Sequence, residues 1–199
     1  MQSGPLPGTR LPMLRFVLAS ALLASSCACA PGTGGPGGPS DRSSYPEGPY
    51  GTARGDVLED LAFVDPEGDA LSLGSIFADE NNRLLLLSTA AGWCTACIEE
   101  QGALEDLHAA HGAGGLVVLV ALFEDSDFQP ADATLAAAWK QEHELSFDVV
   151  ADPEFQLDAY YDASLTPMNM MVDLDTMEIL VISTGWEPST VESIIEARL

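Results

Sequence analysis

The sequence predicts a three-layer α/β domain with a mixed central sheet, and three observations predict it. Two apolar runs, residues 84–89 and 116–123, have the length and composition of strands buried on both faces. Each is followed by a stretch of helical character, 94–111 and 131–143, so strands and helices alternate. Near the C-terminus, two more apolar stretches, 168–173 and 179–184, flank Leu174-Asp175-Thr176-Met177-Glu178 and read as an antiparallel hairpin.

In chain order, residues 57–64 and 69–73 read as strands around the turn Asp65-Pro66-Glu67-Gly68. The buried strand at 84–89 leads to a helix over 94–111, ended by glycines at 112, 114 and 115. The strand at 116–123 is rich in Val and Leu. The helix over 131–143 carries Ala136-Ala137-Ala138, strong helix formers. A short strand at 147–151, a short helix at 153–161 and the hairpin follow. A helix over 189–198 closes the chain, with Ser189 its expected N-cap. Residues 56–199 thus form one domain of ordinary size, without internal repeats.

The first 55 residues read differently. Arg10 and Arg15 form a positive n-region, 16–24 is an apolar core too short to span a bilayer, and small residues precede Cys27. Residues 1–27 are expected to be a signal peptide. The cysteine directly after the small residues resembles a bacterial lipoprotein signal, with Cys27 the lipidated N-terminus. That pattern prefers Leu three positions earlier, where this chain has Ala24; the alternative is an ordinary cleaved signal with two incidental cysteines, Cys27 and Cys29. Residues 28–55, rich in Gly, Pro and Ser, are expected to be a flexible tether.

The chemistry concentrates in Trp93-Cys94-Thr95-Ala96-Cys97, between a strand and a helix. At a helix start, backbone N–H groups and the positive dipole end stabilise a thiolate at Cys94. Cys97 lies one turn on, within reach to close a disulfide, so the pair trades two electrons with other thiols. The competing reading is half a zinc site, which needs two further ligands. His108 and His111 lie on the same helix, roughly 15 Å or more beyond Cys97, and the other cysteines belong to the leader.

Three matches make residues 56–199 similar to the thioredoxin fold, and within it to the membrane-tethered, extracytoplasmic redoxins of the TlpA/ResA type. They are the strand followed by Ala90-Ala91-Gly92-Trp93-Cys94-Thr95-Ala96-Cys97, Glu100 three residues later, and Thr166-Pro167 before an apolar strand ending at Asp173. The opening 65–73 fits the N-terminal hairpin of that subgroup. The resemblance implies a mixed sheet with helices on both faces and a cis Thr166–Pro167 bond beside the cysteines, where Thr166 offers its backbone to a substrate segment. It implies a thiol-disulfide oxidoreductase of the bacterial cell envelope, without cofactor or metal and expected to be a monomer. Its partners would be thiols and disulfides of exported proteins, cytochrome-assembly proteins among them, and an electron donor such as a membrane thiol transporter. The catalytic set would be Cys94 as attacking thiol beside an exposed Trp93, Cys97 as the more buried resolving thiol, and Thr166 and Pro167 as the docking edge.

The departures matter. Cytosolic thioredoxins carry a buried aspartate six residues before the first cysteine; here that position is Ser88, which is no base near neutral pH. Glu124, at the end of the second buried strand, is a candidate stand-in, against the alternative of a solvated acidic loop with Asp125 and Asp127. Gly102 replaces the proline that kinks the family's helix, and Thr95-Ala96 separates the cysteines, so no relative's redox potential transfers.

From residue 56 onward there are 29 Asp and Glu against Arg83, Lys140 and Arg198, a net charge of −26. Such a surface excludes direct binding of nucleic acid or anionic lipid. It fits a salt-adapted protein, basic partners or simple solubility. Glu99 and Glu100 oppose the helix dipole and disfavour a strongly oxidising protein. Two alternatives share the fold. A copper-binding metallochaperone usually spaces its cysteines C-x-x-x-C with a distal His. A peroxiredoxin-like peroxidase uses a Thr-x-x-Cys pocket with an activating Arg; Arg83 is the nearest in sequence.

Overall fold

A computed structural model of the chain describes residues 42–199 together with positions 1, 2, 4 and 8. Cys27, nearly all of the expected signal peptide and the start of the tether lie outside the described residues. Among those described, no helix is long and apolar enough to cross a membrane.

The described elements are β1 (Ala62–Val64), β2 (Ala70–Ser72), α1 (Leu73–Ala78), β3 (Leu84–Ala91), α2 (Thr95–His111), β4 (Leu116–Glu124), α3 (Ala133–Glu142), β5 (Asp148–Ala151), β6 (Met168–Asp173), β7 (Glu178–Thr184) and α4 (Pro188–Arg198). One sheet runs in the order β2-β1-β5-β4-β3-β6-β7. β3, β4 and β5 are parallel neighbours, and the remaining pairings are antiparallel. This is the mixed sheet of the thioredoxin-like fold.

All eight side chains of β3 are buried. Alternation along the strand sends Leu84, Leu86 and Ala90 to one face and Leu85 and Leu87 to the other. Leu104 of α2, Trp139 of α3 and Ile195 of α4 cover the first face. The second is covered by Ile76 and Phe77 of α1 and by irregular segments carrying Leu58, Leu61 and Leu157. Three helices therefore lie on one face and a single short one on the other.

The departures from the sequence reading have local causes. Residues 69–73 are not all strand. Ser72 caps α1, its Oγ accepting the Ser75 N–H at 3.1 Å, and Leu73, Ile76 and Phe77 fall on one helical face. The helix expected at 153–161 is a 3₁₀ turn, Gln156–Ala159, because the Asp152 carboxylate accepts the N–H groups of Gln156 and Leu157. Ser189 is not an N-cap. Pro188 occupies the first turn of α4, and the cap position falls on Glu187, whose side chain caps no backbone N–H.

Residues 42–55, read as tether, are packed on the domain. Arg42 is 5% exposed. Its guanidinium donates to the carbonyls of Phe77 (3.2 Å), Asp79 (2.9 Å) and Asn82 (2.6 Å) and pairs with Asp175 at 2.6 Å. The Tyr45 hydroxyl donates to Leu58 O at 2.9 Å, and its ring packs edge-on to Phe77. One arginine and one tyrosine hold a segment whose Gly, Pro and Ser content conceals the anchors. Arg42→Ala strips these donors from three carbonyls and should cost about 2–4 kcal/mol in urea denaturation. Wild-type stability in that variant would mean that the segment does not anchor.

Candidate active site

β3 delivers the chain to the site through Gly92. A Cβ there would lie 2.6 Å from the backbone nitrogen of Ser126, so the 125–126 backbone crosses directly over this position and only glycine fits. Cys94 follows as the N-cap of α2. Its Sγ takes the Cys97 N–H at 3.1 Å, where helices usually place a Ser or Asp oxygen. Cys94 and Cys97 are joined as a disulfide with Cα atoms 5.3 Å apart. Both are buried, Cys97 fully and Cys94 at 3% exposure, so their difference in access is small.

Ser88 and Thr89 are consecutive on β3 and point to opposite faces. On Thr89's side, the Met168 N–H donates to Thr89 Oγ1 at 2.8 Å. Thr89 Oγ1 lies 3.3 Å from Thr166 Oγ1, which lies 4.0 Å from Cys97 Sγ. The Thr166–Pro167 bond is cis. The structure thus brings Thr166 to the cysteines across 69 positions of sequence, and its side chain meets Cys97. Burial pushes the Tyr161 phenol above its ordinary value, against the pull of the neighbouring Thr89 and Thr166 hydroxyls.

On Ser88's side lies a carboxyl group. Glu100, 3% exposed, accepts from Ser88 Oγ at 2.7 Å and from Asn169 Nδ2 at 3.3 Å. Burial pushes its pKa up, and the two hydrogen bonds pull it back. It sits three residues beyond Cys97, on the same face of α2. The buried carboxyl of this region is Glu100. It stands across one hydrogen bond from Ser88, on the facing helix instead of the strand. Glu100 stands in the family pattern, but the sequence assigns it, with Glu99, only the effect of opposing a thiolate at Cys94, and nothing local to it signals burial.

Glu124 does something else. Its Oε2 accepts the Trp93 indole N–H at 2.8 Å. Trp93, expected to be exposed, is half-buried. Its ring stacks on Phe128, with centroids 5.6 Å apart, and meets Phe123 edge-on. Phe128 is 64% exposed and has a φ of +59°, in a loop where Asp125 Oδ1 accepts the N–H groups of Asp127 and Gln129, both at 2.8 Å. Sequence reasoning missed Phe128; an aromatic among loop acids was its only signal.

The profile of the AhpC/TSA family matches residues 55–185. No curated protein matches the chain in sequence. Solved structures of similar fold include a Chlorobium tepidum protein provisionally assigned as the thiol:disulfide interchange protein DsbE, with TM-score 0.57 and 20% identity, covering 72% of this chain and 94% of that one. A thiol:disulfide interchange protein from Bacteroides sp. has TM-score 0.58 and 17% identity, covering 72% and 91%. A secreted Mycobacterium tuberculosis disulfide oxidoreductase homologous to DsbE of E. coli has TM-score 0.52 and 14% identity, covering 69% and 96%. At such identities the likeness establishes the shared fold.

Glu100 makes stability pH-dependent. Its folded-state pKa lies above the unfolded value, so its contribution is complete below the unfolded pKa and is lost as pH rises through the folded one. Glu100→Gln should match the parent in acid and gain on it as pH approaches neutrality, read as urea midpoints across pH. A constant offset at every pH would contradict the assignment.

Proposed function

The chain belongs to the AhpC/TSA family, and from that premise and the geometry of Cys94 we propose that it is a thiol-disulfide oxidoreductase acting on disulfides of exported proteins. One observation carries the reading. The Cys94 sulfur caps a 17-residue helix and is closed to Cys97 as a disulfide. A sulfur in that position is stabilised as a thiolate by the Cys97 N–H and the helix dipole.

In the reducing direction, the Cys94 thiolate attacks one sulfur of the substrate disulfide. A Cys94–substrate bond forms and the first substrate sulfur leaves as a thiolate, which takes a proton. Cys97 then loses its proton and attacks the Cys94 sulfur. The mixed disulfide breaks, the second substrate sulfur leaves, and the Cys94–Cys97 bond closes. The substrate gains two electrons, and a dithiol donor must reopen the pair. Glu100, buried one helical turn beyond Cys97, is the group placed to accept the Cys97 proton. Thr166 and Pro167 form the edge along which the substrate segment lies, and Trp93 forms its aromatic flank.

The alternatives find less support. Ala91 stands three residues before Cys94, where a peroxidase pocket has Thr, and Arg83 precedes β3 at its opposite end. His108 and His111 occupy the last turn of α2, roughly 20 Å along the helix from Cys94, out of reach of a copper bound there.

We infer from the leader that this activity belongs in the cell envelope, with Cys27 proposed as a lipid anchor and a membrane thiol transporter as one class of electron donor. Two experiments test the reading. Cys97→Ser should trap substrate proteins as mixed disulfides on Cys94 and abolish turnover, whereas Cys94→Ser should trap none; equal trapping by both would reverse the assignment. Cys27→Ala should release the protein into the soluble extracytoplasmic fraction or block its processing. A mature chain starting beyond Cys29 without lipid, by mass spectrometry, would remove the anchor.

A further inference from the structure

The described Arg side chains gather at one end of the domain, among acids that include Asp79, Glu80, Asp175 and Glu178. Arg83 precedes β3, and Arg42 is held by the carbonyls of Phe77, Asp79 and Asn82 beside it. Arg198 bonds Asp173, which lies opposite Leu84 at the start of β3. Arg54 adjoins Gly55, whose N–H bonds Ile179 O on β7, near the same end. Lys140 sits on the last turn of α3, paired with Asp148 at 3.6 Å. The disulfide lies beyond the other end of β3, an eight-residue strand roughly 25 Å long.

Four segments border the disulfide. Residues 92–99 carry it. Residues 123–129 are joined to it through Trp93 and Gly92. Residues 158–167 reach it through Thr166. Residues 185–187 are attached by the Gly185 N–H to Pro167 O at 2.7 Å. These segments contain no Lys, Arg or His. Besides Glu124, engaged by Trp93, they carry Glu99, Asp125, Asp127, Asp158, Asp162 and Glu187.

The same segments expose apolar side chains. Phe128 is 64% exposed, Leu165 55% and Ile98 41%. Phe128 stacks on Trp93, Leu165 immediately precedes Thr166, and Ile98 immediately follows Cys97. An apolar collar around a reactive thiol, rimmed by one sign of charge, is a docking surface for a complementary chain.

We propose that the polypeptide docking here is a cationic segment. It would set an apolar side chain against Phe128, Leu165 or Ile98 and Lys or Arg side chains opposite the acidic rim. This rests on the thiol-exchange reading and deepens it by naming the chemistry of the substrate. Charge of one sign around a cleft concentrates oppositely charged partners and raises encounter rates by tenfold or more at low salt.

Two synthetic peptides test the proposal. Each carries one internal disulfide and one apolar residue beside it, flanked by Lys in one peptide and by Glu in the other. The fully reduced protein is mixed with each, and oxidation is followed by tryptophan fluorescence, with uncharged bis(2-hydroxyethyl) disulfide as reference. The Lys peptide should react at least about tenfold faster than the Glu peptide at about 20 mM salt, and the ratio should collapse toward unity at about 500 mM. Glu99→Gln with Asp127→Asn should lower that ratio several-fold. Equal rates for the two peptides at low salt would overturn the proposal. So would a salt effect of the same size and sign on both, which belongs to relief of the chain's self-repulsion. If the protein reduces none of the three disulfides, the thiol-exchange reading fails and the docking proposal fails with it. If it reduces the uncharged reference without discriminating between the peptides, only the docking proposal fails.

Discussion

Two consecutive side chains on β3, Ser88 and Thr89, lie fully within the sheet and point to opposite faces. Because the strand alternates, each engages a different group on its own side of the sheet. Ser88 holds the Glu100 carboxyl beneath the start of α2. Thr89 takes the Met168 N–H and lies beside the Thr166 hydroxyl. That strand is paired with β4 and β6 and carries no exposed residue, so a slip by one register position would exchange the two roles and leave neither partner satisfied. Glu100, Thr166 and the chain leading to the cysteine pair are therefore all referred to one buried strand.

The helix end adds a second constraint. In most helices an oxygen at the N-cap takes one of the orphan N–H groups. Here the Cys94 sulfur does so, and the interaction that starts α2 also favours the anionic form of that sulfur once the disulfide is open. Secondary structure and reactivity rest on the same hydrogen bond.

Much of this was legible in the sequence. The alternation of strands and helices follows from apolar runs bounded by glycines, and the C-x-x-C between a strand and a helix has few other uses. Other features were hidden where the sequence signal is local and the structural cause is not. Glu100 looks like any helical acid beside another; only the facing Ser88 and Asn169 reveal that it is buried. Trp93 was read as exposed, because the Phe128 that covers one face of it comes from a loop 35 positions away in sequence. Arg42 stands among Gly, Pro and Ser, a composition that argues for a tether, while its four hydrogen-bond partners come from residues 77–82 and 175.

Arg42 has a directional consequence. It fastens the chain at the pole where β3 begins, and the thiols sit at the other. A domain hung from residue 42 on any surface would carry its reactive end outward, facing away from its own point of attachment. Partners diffusing through the surrounding space would meet that end first. A partner embedded in the same surface would be reached only when the whole body turns over on its stem. The length of β3 thus stands between the place where the chain enters the domain and the place where its two sulfurs meet.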